Sequence, residues 1–393
     1  MAVLVMFLFK RGSRNNADNT NKINYGKNIQ QVFQFRLPDM DTANGLMVNL
    51  DIQHLENIKK KIVSILLSRK VLNKFKLFDL YHNVTVDGTG VHSYKYEPYL
   101  ECPYKTSKNG VKTWTAYVLE AKIVCSNGFS ISISTEWVKN PVNEDFDKQD
   151  CEQKAFVRLA KKLKKDFPRL PICITADGLY PNNTVFNICE NNNWKYIITL
   201  KDGNLKSVWE EIVFFDLTGS KLEYSFATRK PSFRIIEEYS GFQDIVYQKH
   251  NLNVVVAIIK SKSTETAEKP KILKFAHVTN FELSKHKLRK ISKAGRLRWK
   301  IENEGFNEQK NGGYNLKHKY SRKSFIATQN YYQCMQIAHM INQLSHKSSV
   351  IKELIKGNDT LMSFEESAVS LLMIGSLENN INEHINIKCQ MRY

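Results

Sequence analysis

The chain has 393 residues, 42% hydrophobic and 25% charged, a balance that excludes a wholly disordered or fibrous protein and leaves room for more than one domain. It carries 58 Lys and Arg against 39 Asp and Glu, a formal net charge of +19, which favours a polyanionic partner and nucleic acid above all. The seven cysteines, Cys102, Cys125, Cys151, Cys173, Cys189, Cys334 and Cys389, show no Cys-x2-Cys pair and no zinc-finger spacing; they argue against a disulfide framework or zinc site and suit a reducing cytosol.

The opening run from Met1 to Phe9 is apolar, has no basic residue ahead of it, and falls short of the ~20 residues needed to span a bilayer. No other apolar stretch approaches that length, so the chain reads as soluble and cytoplasmic, with no membrane partner. It begins without an N-cap, as the interior of a buried helix would, which suggests a shortened N-terminus. Residues 1–78 read as a helical DNA-binding region with a polar, Asn-rich loop around Asn15 to Asn21. Leu55, Ile58, Ile62 and Leu66 form the apolar stripe of one helix, with Lys59, Lys60, Lys61, Arg69 and Lys70 on its outer surface.

From Val84 the period changes. VTVDGTGVHSY, TWTAYVLEAKIVCSNG and FSISISTEWV predict a strand followed by a hairpin closed at Asn-Gly. Cys151 to Phe167 predicts a helix with Phe156, Leu159, Leu163 and Phe167 on one face. A strand in PICITADGLY, a helix over Val185 to Asn192, a strand in KYIITLKDG and a helix near Leu205 to Glu211 complete the order β-β-β-α-β-α-β-α. That order predicts an α/β fold, a mixed sheet covered by helices, over residues 79–211. Six short strand-like pieces beginning with IVFFDL predict a compact all-β unit over 212–280. Helix returns at Lys285, breaks at Asn311-Gly312-Gly313 and resumes from Phe325 to Leu344, giving a second core segment over 281–345 and a weakly helical tail over 346–393.

The charge is concentrated. Lys285 to Lys323 holds 13 Lys and Arg against Glu302, Glu304 and Glu308, more than half the net excess in a tenth of the chain, as a phosphate-tracking surface requires. Within it, Arg298 and Glu302 lie four apart and share a helix face. Asp87 sits in VDGTG on the first strand and Asp177 in ADGLY at the end of the fourth. Each is followed by a glycine whose missing side chain leaves space for a ligand, and ligands of open sheets gather at strand ends. Asp202-Gly203 reads only as a turn. Two strand aspartates and a helical glutamate form a set of hard oxygen donors suited to Mg²⁺, and two such ions serve in-line displacement at phosphorus. His92 reads as structural, and Trp299 as either a stacking platform or core. Neither a G-x-S-x-G elbow nor a Walker lysine motif is present.

The stretches VDGTG, FPRLPICITADGLYPNNTVFNICENNNWKYIITLKDG and AGRLRWKIENEGFNEQKNGGYNLKH, with the β segment ahead of the last, resemble the DDE transposases of bacterial insertion sequences. The group is the one with the signature Tyr-x2-Arg-x3-Glu-x6-Lys, and the likeness runs from about Met6 to about Leu344. It implies a ribonuclease-H-like core interrupted by an all-β insertion. It further implies metal-dependent cleavage at terminal inverted repeats, strand transfer into target DNA, and a homodimer or higher oligomer on DNA. On this resemblance Asp87, Asp177 and Glu302 are the catalytic carboxylates holding two Mg²⁺ ions, with Mn²⁺ able to substitute. Arg298 is the signature arginine, and Arg296, Trp299, Lys300 and Lys310 are further DNA contacts. Gly295 stands where the signature tyrosine falls and Gln309 where the lysine falls, with Lys310 one later. The group's hairpin route uses a stacking aromatic, for which Phe233, Tyr239 and Phe242 are the candidates. Two rival readings stand beside this one: an inactive or shortened transposase-derived DNA-binding protein, and a ribonuclease-H-like nuclease outside transposition.

Overall fold

The computed structural model describes residues 1–393 apart from 22–23, 142–148, 264–268, 323, 356–359, 376, 378–389 and 392–393. Five helices come first: α1 (Ala2–Leu8), α2 (Arg14–Asn21), α3 (Asn24–Phe33), α4 (Met40–Asn49) and α5 (Ile52–Ser68). Strands β1 (His82–Tyr94), β2 (Tyr104–Thr106), β3 (Lys112–Val124) and β4 (Ser130–Val138) follow, then α6 (Glu152–Asp166), β5 (Ile172–Ala176), α7 (Asn183–Asn191), β6 (Lys195–Thr199) and α8 (Lys206–Leu217). Next are β7 (Leu222–Lys230), β8 (Phe233–Tyr247), β9 (His250–Ser263) and β10 (Lys271–Thr279). The chain continues through α9 (Lys285–Arg296), a π-helical segment (Ile301–Asn307), α10 (Glu308–Asn311), α11 (Phe325–His346), α12 (Ser349–Leu354) and α13 (Leu361–Ile374).

The ten strands make one sheet in the order β2-β3-β1-β5-β6-β10-β9-β8-β7, with β4 paired to β3. β5 runs parallel to β1 and to β6, and the remaining pairs are antiparallel. This is the expected mixed α/β sheet flanked by helices. Side chains alternate across a strand, and here the alternation divides two kinds of interior. Val84, Val86, Leu119, Ala121 and Ile123 join Phe156, Leu159 and Leu163 of α6 in the largest apolar cluster. The intervening positions Thr85, Glu120 and Lys122 are equally buried but polar. A second cluster packs α1 against α11 through Val3, Phe7, Tyr331 and Met335, so the apolar opening run is core.

Several expectations are corrected. Asn15 to Asn21 lie in α2 rather than a loop: the Asn16 N–H donates to the Ser13 hydroxyl at 3.2 Å, and Ala17 and Thr20 are buried. Asp18 from that helix in turn accepts the Met40 N–H at 2.8 Å, so the polar residues serve as caps. IVFFDL is the second half of α8, not a strand. Val208 and Ile212 face the core while Val213, Phe214 and Leu217 are exposed, an apolar outer face that hides the helical period. The β segment therefore begins at Leu222 and contains four strands among the described residues, because FRIIEEYS and the DIVY of DIVYQKH are one strand with an irregularity between Phe242 and Ile245, and His250 opens the next. These strands extend the main sheet, β10 pairing with β6. Lys59 does not join the outer surface of α5 either: it is 2% exposed and donates to the Thr135 hydroxyl at 2.5 Å. Six cysteines are free and all but Cys151 are buried, while Cys389 lies outside the described residues. Among the described residues no helix is long and apolar enough to cross a membrane.

Candidate functional site

The parallel pairing of β1 with β5 ends with Thr85 opposite Thr175; two residues on in each chain segment come Asp87, still within β1, and Asp177, just past β5, near enough for their charges to interact. The two threonine hydroxyls are hydrogen-bonded at 2.7 Å, and Thr175 also donates to the Asn83 carboxamide at 2.8 Å. A buried polar clamp thus fixes the strands just before the acids. Asp87 is largely buried, its side chain 21% exposed, and burial pushes its carboxyl up to about 6. The Arg298 guanidinium, 3.8 Å away, and the Gly88 N–H, at 3.0 Å, pull it back down, while Glu152 and Asp177 push it up. Asp177 lies one residue beyond β5; one oxygen accepts the Leu179 N–H at 2.8 Å and the other the Lys201 ammonium at 3.1 Å.

Glu302 lies on the π-helical segment, which packs against β1 and β4. Ile301 and Phe306 anchor that segment on Val124, and Gly305 lets it settle close to the Ser130 hydroxyl and Lys122. The Glu302 side chain is half exposed and its nearest cation is Lys310, at 3.6 Å. Arg298 and Glu302 were expected to share a face of one α-helix; instead α9 ends at Arg296 and Glu302 follows in π geometry. The structure therefore brings Asp87, Asp177 and Arg298 together. Among the described residues it gathers no group of three His, Cys, Asp or Glu side chains that could hold an ion.

Two glycines expected to leave room for a ligand are already covered by the chain itself. A Cβ on Gly88 would lie 2.6 Å from the Tyr117 ring and 2.9 Å from the Glu152 carboxyl carbon, and one on Gly178 would lie 2.6 Å from the Lys201 stem. Glu152 and Lys201 are the site residues that sequence reasoning missed. Glu152 opens α6 and accepts hydrogen bonds from the Tyr117 hydroxyl at 2.5 Å and the Tyr180 hydroxyl at 3.1 Å. In sequence it is one more acid in a first helical turn, with no signal that the sheet brings it beside Asp87.

Beyond Arg298 lies a cleft of about 410 Å³ lined by Lys201, Lys274, Arg296, Arg298, Trp209 and Trp299. Trp299 is 58% exposed, so it is not core. The Arg296 guanidinium lies over Phe275 at 4.6 Å and the Lys274 ammonium over Trp209 at 5.0 Å. Lys300 is engaged by Glu304 at 2.5 Å. Buried His277, held neutral by burial with its value down at about 4, occupies the space a side chain at position 295 would need: a Cβ there would lie 2.3 Å from its ring. Among the stacking candidates, Tyr239 and Phe242 are core residues at 2% and 3% exposure, and only Phe233 is half-buried. His92 is buried and held neutral, its value lowered to about 4, as expected of a structural histidine.

A scan against protein-family models gives no match to this chain, and a search of curated proteins gives none.

Proposed function

We propose that this protein is a DDE transposase: a metal-dependent DNA endonuclease and strand transferase that cuts at terminal inverted repeats and joins the ends to target DNA. The observation that carries the reading is the pair Asp87, inside β1, and Asp177, one residue past the end of the parallel strand β5, close enough to act on each other's charge, with Arg298 3.8 Å from the first. On this reading the sheet up to β6 and the helices after β10 form a ribonuclease-H-like core, and β7 to β10 form its insertion. The π-helical segment accounts for the displaced lysine. A π turn takes up one residue more than an α turn, so Lys310 stands where position 309 of an unbroken helix would fall, 3.6 Å from Glu302. Gln309 is instead buried and hydrogen-bonded to Gln336 and His339. His277 in the place of a side chain at 295 likewise accounts for the missing tyrosine.

The donor set suits Mg²⁺ or Mn²⁺: hard carboxylate oxygens, one of them on an acid whose ionisation burial opposes, a cost a divalent cation would offset. Asp87 and Asp177 would hold it, and Glu302 would complete the set by moving in from the π-helical segment. Bound, it supplies Lewis-acid activation of an attacking water or 3′-hydroxyl. The chain's own residues do the rest: Arg298 and Lys310 neutralise phosphate oxygens, and the Thr85–Thr175 clamp fixes the two aspartates relative to each other. The basic cleft with Arg296 and Trp299 holds the adjoining DNA. The test is Mg²⁺- or Mn²⁺-dependent cleavage of a plasmid carrying the gene's own flanks. Cuts at matched inverted repeats by the wild type, absent with Glu302→Gln and Asp177→Asn, are expected. Equal cutting by the variants overturns the assignment, and binding without cutting by all three favours the inactive DNA-binding protein.

A further inference from the structure

Each acid of the site has a cation of its own: Arg298 on Asp87, Lys310 on Glu302 and Lys201 on Asp177. The third pair is built differently from the others. Its carbon stem lies across Gly178, where even a methyl group would collide with Cγ and Cδ at 2.6 Å. The backbone of Lys201 is pinned: its carbonyl accepts from Trp209 Nε1 at 3.2 Å and from the Asn204 N–H at 3.1 Å, and its N–H donates to Asn204 Oδ1 at 3.3 Å. The preceding Leu200 N–H is tied to the Ala276 carbonyl at 2.9 Å. The side chain is held less firmly than the backbone: at 59% exposure its ion pair with Asp177 is weak in water. The same residue lines the basic cleft with Lys274, Arg296 and Arg298.

We propose that Lys201 is an exchangeable counter-ion coupling metal binding to DNA binding. Without a divalent cation its ammonium stands in for the ion on Asp177; when the ion binds, the ammonium is repelled into the cleft and meets a DNA phosphate. The inference rests on the carboxylate-site reading above. Because coupling between two ligands is reciprocal, DNA then tightens metal binding by the factor by which metal tightens DNA binding.

The experiment is Mn²⁺ titration by calorimetry of the full chain, with no DNA present. Lys201→Gln removes the competing cation and is expected to bind Mn²⁺ about 3- to 10-fold more tightly, and Lys201→Arg to stay near wild type. Gly178→Ala, which evicts the lysine stem without touching its charge, is expected to follow Lys201→Gln. A second titration follows a labelled short duplex from the gene's flank by anisotropy, in EDTA and in Ca²⁺. The factor by which Ca²⁺ tightens DNA binding is expected to fall about 3- to 10-fold in Lys201→Gln. If Asp177→Asn loses Mn²⁺ while Lys201→Gln binds it as the wild type does, the counter-ion role is overturned and the carboxylate site stands. If the wild type and Asp177→Asn bind Mn²⁺ equally, or neither binds it, the site reading falls and the role of Lys201 falls with it.

Discussion

Asp87 and Glu120 stand directly opposite each other on β1 and β3, and the two carboxylates live in contrasting surroundings. Glu120 is wholly buried, accepting from the Ser132 hydroxyl at 2.7 Å and the Thr135 hydroxyl at 2.5 Å, with buried Lys59 reaching the same threonine. Lys122, two residues along, is also fully buried, and burial lowers its ammonium to about 8 against the pull of Glu120 and Glu302. Asp87, by contrast, is partly exposed, makes no side-chain bond to a hydroxyl among the described residues, and has as its cation the Arg298 guanidinium at 3.8 Å. A sealed acid that has spent its oxygens on hydroxyls holds a structure together. An acid with weakly held cations is available to a ligand.

The largest expected effect comes from breaking the sealed side. Glu120→Ala leaves Lys59 and Lys122 buried without their shared acid, and a loss of about 3–5 kcal/mol in urea unfolding is expected. A loss under ~1 kcal/mol would mean that Glu120 does not organise this network. Next in size is an acid sensitivity from the sealed histidines of β1. Burial lowers both His82 and His92 to about 4, below the unfolded value near 6.5. The unfolded chain therefore takes up protons that the folded chain refuses. The stabilising contribution is complete above about pH 6.5, declines as the pH falls toward 4, and levels off below that. At about 3 kcal/mol per histidine over the window, the slope of unfolding free energy against pH is expected to flatten in His92→Gln; an unchanged slope would show that this ring titrates normally. Smallest is Asp87→Asn on the open side. Its ionised carboxylate is disfavoured by burial and by two neighbouring acids, so thermal unfolding at neutral pH should show a change of no more than ~1 kcal/mol, in either direction. A large loss would place Asp87 with Glu120 as a structural acid.

Apart from the three-residue β2, which the local pattern does not show as a strand, the order from β1 to α7 was legible because each element there alternates apolar with polar positions, whether the polar side meets water or a buried polar layer, or is fully apolar. Legibility failed where that rule fails. α8 carries Val213, Phe214 and Leu217 on its exposed face, so the helical period is masked. α5 buries Glu56 and Lys59 against the sheet, so a stripe drawn through Leu55, Ile58 and Ile62 is turned from the true one; Ile58 is 47% exposed. For the candidate site, Asp87 and Asp177 were readable from Asp-Gly pairs in strand-like runs, Asp87 within β1 and Asp177 just past β5. Their partners were not. Glu152, Lys201 and the threonine clamp arrive from separate elements and meet only through parallel register, which the local pattern does not encode. The π geometry around Glu302 is likewise a tertiary outcome, set by Ile301 and Phe306 seeking Val124 and by Gly305 settling near Ser130 and Lys122.

The junction of β6 with β10 has a mechanical consequence. Thr199 pairs with His277, and the very next residue, Leu200, still donates to Ala276, directly before Lys201 turns toward Asp177. A hydrogen-bonded ladder and a close-packed interior transmit displacement with little loss. The outer strands β7 to β9 are therefore joined, through β10, by backbone hydrogen bonding to the residue that precedes Lys201, so the sheet that they extend also fixes where the Lys201 loop starts.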